Sequence, residues 1–68
     1  MMRFYGSRKD VVLFAEELAT RFGTDLQSIT ITRLVSSEAY SVRIVTDTLS
    51  VDTVSDIANT FSLTRTIT

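Results

Sequence analysis

The sequence predicts an α+β two-layer sandwich of ferredoxin-like βαββαβ order, with a four-stranded antiparallel sheet and two helices on one face. Three observations predict it. Apolar residues alternate at period two in short stretches and recur at helical spacing in two longer ones. These stretches follow one another as strand, helix, strand, strand, helix, strand. They fill 68 residues almost completely, with no proline and no low-complexity linker. Two helices cannot wrap a four-stranded sheet, so one sheet face is expected to stay open.

The first strand is expected over residues 1–5, ended by Gly6. Ser7 suits an N-cap, with Asp10 three residues on as a weak capping box. Val11, Phe14, Ala15, Leu18, Ala19 and Phe22 then share one helical stripe, which places the first helix at 8–22. Gly23 follows, where a left-handed C-cap is expected. Residues 28–34 alternate as the second strand, with Ile29 and Ile31 opposite in facing to Thr30 and Thr32. There Arg33 falls on the apolar parity and Leu34 on the polar one, which predicts a bulge or a strand end beyond helix cover. Ser36-Ser37-Glu38 reads as a turn, and Tyr40, Val42 and Ile44 as the inward side of the third strand. Ser50 suits the second N-cap, with Leu49 and Val54 spaced as a hydrophobic staple. Val51, Val54, Ile57, Ala58 and Phe61 form the inward stripe of the second helix. Leu63, Arg65 and Ile67 alternate with threonines as the last strand.

The chain reads as one compact domain over 1–68. At this length about 60% of the unfolded surface is buried on folding. The stability margin is therefore small, and a dimer interface would supplement it. The composition is globular, 44% hydrophobic and 22% charged. A formal net charge of -1 gives no whole-chain attraction to a polyanion. The absence of cysteine removes disulfides, thiol catalysis and thiolate metal sites. The longest apolar run, Val11 to Ala15, is too short to span a membrane, and the first residues lack the apolar core of a signal peptide. A soluble cytoplasmic protein is the default expectation.

In the usual βαββαβ winding, strands one and three are central and strands two and four are edges. Met2, Phe4, Ile29, Ile31, Tyr40, Val42, Ile44, Leu63 and Ile67 are then expected on the core face. The open face takes Arg3, Tyr5, Thr30, Thr32, Ser41, Arg43, Val45, Thr64 and Thr66. It is polar and positive, while Asp10, Glu16, Glu17, Asp52 and Asp56 fall on the helices. Arg3, Tyr5 and Arg43 would sit together, where RNA-recognition modules place base-stacking aromatics and cations. A solvated sheet face explains the same residues, and the single aromatic and missing Gly-aromatic signature favour it. Leu13 points off the inward stripe and could anchor a partner, although a lone exposed leucine is ordinary. Both edge strands lack proline and lysine, so Thr30 and Thr32 on one and Arg65 on the other mark edges that could pair with another chain.

Catalytic chemistry is thinly supplied. The chain has no histidine and one lysine, Lys9, and Gly6 and Gly23 stand apart from any phosphate-binding loop. Asp52 and Asp56 lie one turn apart as ordinary solvated acids, and the 47–52 stretch lacks the glycine and spaced carboxylates of a calcium loop. No enzyme activity, metal or cofactor is expected.

The stretch Phe14-Ala15-Glu16-Glu17-Leu18-Ala19, then Leu26, Ile29 and Ile31, resembles the first half of a ligand-sensing ACT domain. Gly6 could match the glycine of that family's first strand-to-helix loop, but the flanking Asp and Pro are missing. The resemblance implies small-ligand sensing at a dimer interface. Metal-carrier domains share the element order, and the lack of cysteine argues against them. The leading expectation is a small non-catalytic interaction module, a homodimer, that binds a partner protein through its open sheet face or an edge strand. Single-stranded nucleic-acid binding and ACT-like ligand sensing are the alternatives. No membrane partner is expected.

Overall fold

Alternation in Met2–Gly6 sends Met2 and Phe4 to one side and Arg3 and Tyr5 to the other, and this strand, β1, lies inside the sheet. The computed structural model describes residues 2–34 and 38–65. After β1 come α1 (Arg8–Phe22), β2 (Leu26–Arg33), β3 (Tyr40–Thr46), α2 (Val51–Thr60) and β4 (Thr64–Arg65). The sheet order is β2-β3-β1-β4, antiparallel throughout. The expected α+β two-layer sandwich is therefore the observed architecture, with β1 and β3 central.

Both helices start at serine caps. The Ser7 hydroxyl accepts from the Asp10 amide at 3.2 Å, and the Ser50 hydroxyl accepts from the Thr53 amide at 3.1 Å. The core is built from Val11, Phe14 and Leu18 of α1 and Val54, Ile57 and Ala58 of α2. They pack against Met2, Phe4, Val42, Ile44 and Leu63. Phe14 meets Phe4 edge-on at 5.3 Å between ring centroids and Phe61 at 6.4 Å. Such pairs add about 0.5–1.5 kcal/mol each beyond burial.

Several expectations shift. Gly6 is the last residue of β1 and not the first beyond it, and a Cβ built there would collide with Leu63 Cδ2. Its bareness lets the chain leaving α2 lie against the sheet. Gly23 is right-handed, at φ −51°, because α1 runs into a 3₁₀ turn, Gly23–Asp25, instead of stopping at a left-handed cap. β2 begins at Leu26, two residues before the expected start, with a bulge between Leu26 and Ser28 that puts both Leu26 and Ile29 on the helix side. At the other end Arg33 pairs with Tyr40 in regular register and is exposed, so the strand simply outruns its helix cover. Ile31, expected in the core, is 41% exposed for the same reason. Ile67, Thr66 and most of the 36–38 turn lie outside the described residues.

Thr46 ties the end of β3 to the start of β2. Its hydroxyl donates to the Asp25 carbonyl at 2.6 Å and accepts from the Thr48 and Leu49 amides, each at 3.3 Å. Leu49 packs on the core that contains Val54, as a staple would.

α2 ends in a Schellman motif. The Leu63 amide donates to the Ala58 carbonyl at 3.0 Å and the Ser62 amide to the Asn59 carbonyl at 3.1 Å. Leu63 and Ala58 are both buried, supplying the accompanying apolar contact. The motif needs a left-handed residue, and Ser62 takes that conformation at φ 61° without being glycine. Ser62→Gly is expected to stabilise the fold by about 1 kcal/mol, a rise in Tm of roughly 5 °C. Thermal and urea denaturation measure it, and an unchanged or lowered stability would contradict the strain assigned to Ser62.

Candidate functional site

The open side of the sheet is built by register. Arg3 of β1 lies directly opposite Arg43 of β3, and Arg43 lies opposite Thr30 of β2. Directly opposed residues share a face, with Cβ atoms about 5 Å apart. Thr30, Arg43 and Arg3 therefore make one row across three strands. A second row runs Thr32, Ser41, Tyr5, Thr64 across all four. Ser28 and Val45 pair beside the first row. The described open-face residues include no carboxylate.

The acids lie elsewhere: Asp10, Glu16 and Glu17 on α1, Asp52 and Asp56 on α2, Asp25 in the 3₁₀ turn after α1, and Glu38 and Asp47 outside helices and strands. Among the described residues neither Arg3 nor Arg43 has an ion-pair partner. Arg43 is exposed and Arg3 half-buried, with hydroxyls at Thr30, Thr32 and Thr64 exposed around them. Ser41 is buried. Tyr5 is half-buried and is the open face's aromatic among the described residues. Two guanidinium groups ringed by hydroxyls suit an incoming carboxylate or phosphate, which planar donor forks bind bidentately.

The structure thus brings Arg3, Tyr5, Thr30, Thr32 and Arg43 onto one face. It sets the other two candidates apart. Arg65 pairs with Phe4, so it projects from the helix side of the edge strand β4, where it is exposed. Leu13 lies in the helix layer, in a shallow groove of about 290 Å³ shared with Glu16, Glu17, Thr20 and Phe61. That groove was not legible in the sequence, since it depends on where Phe61 lands after α2 ends.

β2 is the longer described edge, eight residues against two for β4. Its exposed Ile31, and the Gln27 amide that donates to the Asp47 carboxylate, were also missed. Gln27 sits at the bulge, which has no sequence marker here. No group of three or more potential metal ligands gathers among the described residues, and no helix is long and apolar enough to cross a membrane.

Comparison with family models, with curated proteins and with solved structures found no match to this chain.

Like charges placed directly opposite on neighbouring strands repel. Arg43→Glu converts the pair to opposite charges and is expected to stabilise the fold by about 0.2–1 kcal/mol, most at low salt. Urea denaturation at two ionic strengths reads the change. A salt-insensitive loss of stability would show that the two side chains do not face one another.

Proposed function

We propose that this chain is a small non-catalytic interaction module, working as a homodimer, that binds an acidic segment of a partner protein on its open sheet face. One observation carries the reading: the cross-strand pair Arg3 and Arg43 stands on a face whose described residues include no carboxylate. Packing does not require the pair, and its mutual repulsion opposes folding. An anionic group laid between the two guanidiniums relieves that repulsion and gains charge-assisted hydrogen bonds.

The face suits a carboxylate-bearing segment better than a nucleic acid. Single strands are held by several cations and by stacking on successive aromatics. Here two arginines accompany one half-buried tyrosine. The acids of α1 and α2 add an unfavourable field for a long polyanion, and they do so from the opposite layer.

Fluorescence anisotropy with a labelled Asp/Glu-rich peptide and with a single-stranded oligonucleotide tests the reading. The peptide is expected to bind, more weakly as salt rises. Arg43→Glu is expected to weaken it by at least about tenfold, the loss that follows removing a charged hydrogen-bond partner. Arg65→Glu, on the helix side, is expected to leave it unchanged. Preference for the oligonucleotide would replace the proposed partner, and binding of neither at low salt would overturn the site.

A further inference from the structure

The edge strand β2 has the same pattern read in either direction. Ser28-Ile29-Thr30-Ile31-Thr32 runs hydroxyl, isoleucine, threonine, isoleucine, hydroxyl, centred on Thr30. A twofold interface brings a surface against its own copy, so it needs this kind of self-complementarity. Laid antiparallel against a second copy about Thr30, the strand opposes Ile29 to Ile31, Ser28 to Thr32, and Thr30 to itself. Ile29 and Ile31 lie on the helix side and the hydroxyls on the open side, so like meets like on both faces. Ile31, 41% exposed in the single chain, gains apolar cover.

One step outward, Arg33 comes opposite Gln27 of the other copy. Gln27 already binds the Asp47 carboxylate through its side-chain amide. Arg33 is exposed and has no ion-pair partner among the described residues. The pairing therefore brings an unpaired cation to a carboxylate at each end. Shifting the centre to Ile29 or Ile31 would instead set Gln27 against Ile31 or Arg33 against Ile29. β2 carries no proline or lysine, and its one helix-side charge, Arg33, is exposed at the strand end beyond helix cover, where the pairing gives it a partner.

We propose that β2 pairs with β2 of a second copy about Thr30, joining the two sheets into one of eight strands and completing a row of four arginines on its open face. The row follows from register. Arg3, Arg43 and Thr30 are already aligned across three strands, and the twofold axis continues them into Thr30, Arg43 and Arg3 of the second copy. At about 4.8 Å per strand the row spans roughly 24 Å, and the two Arg43 positions stand about 14 Å apart. All four helices lie on the other side. A partner that fills both arginine pairs carries two acidic clusters centred about 19 Å apart, roughly six extended residues along the chain.

This rests on the homodimer and acidic-partner reading above, yet the pairing is testable with no partner present. The chain has no cysteine, so Thr30→Cys introduces a single thiol on the axis. Opposed Cα atoms in an antiparallel pair stand about 4.5–5.5 Å apart, within disulfide reach. Under mild oxidation Thr30→Cys is expected to give a covalent dimer in high yield. Thr32→Cys, which faces Ser28 of the other copy, is expected to give little. The unmodified chain is expected to sediment as a dimer at micromolar concentration, and Ile31→Glu as a folded monomer. A monomeric unmodified chain, or equal cross-linking at positions 30 and 32, would overturn the pairing. A dimer that ignores acidic peptide would leave the pairing standing and remove the partner, whereas a monomer that binds the peptide would do the reverse.

Discussion

The edge-to-face contact of Phe14 with Phe4 decides which side of this sheet is left over. Phe4 sits on central β1, Phe14 on α1, and Phe61 at the end of α2, with ring centroids 5.3 and 6.4 Å apart along the chain of contacts. Phe4 and Phe14 are fully buried. Together they hold the helix layer to the face that carries Met2 and Phe4. Strand parity then sends Arg3 and Tyr5 to the opposite face, and register carries that choice to Arg43, Ser41, Thr30 and Thr32. A slip of one residue in β1 would exchange the two sets completely. The absence of a side chain at Gly6 belongs to the same constraint, since it lets Leu63 close the core beside β1.

Given that frame, residues divide by the cost they impose. Those under the helices are apolar and buried. On the other face two arginines oppose one another directly, a choice that local stability disfavours. Departures of this kind concentrate where a sequence serves something besides folding. The β2 edge has the same character: Ile31 is left 41% exposed, and Arg33 has no ion-pair partner among the described residues. Both features sit on elements fixed by the core, so the surface they make is held in place without a partner.

Local pattern was enough to read the helix at 8–22, the central places of β1 and β3, and the grouping of Arg3, Tyr5, Arg43, Thr30 and Thr32. Each follows from a period of two or of 3.6 that the residues carry themselves. What escaped depends on neighbours far along the chain. Gly23 looks like a helix stop, but the 3₁₀ turn after α1 and the Thr46 hydroxyl on the Asp25 carbonyl give that backbone another route. Ser62 carries the left-handed turn because the Schellman hydrogen bonds and buried Leu63 outweigh its preference. Ile31 looks like core and is half in water, because helix length rather than strand pattern sets where cover ends. Arg65 and Leu13 have the right chemistry for contact but lie on the helix side of the molecule.

The most direct test of this division of labour is to follow backbone amide shifts by NMR while an acidic peptide is added. Perturbations are expected to be confined to β1 and β3 and their open-face neighbours, strongest near Arg3, Thr30, Ser41 and Arg43. The amides around Leu13, Thr20 and Phe61 should stay still. Shifts centred on that helix-side groove, with the arginine row unmoved, would contradict it.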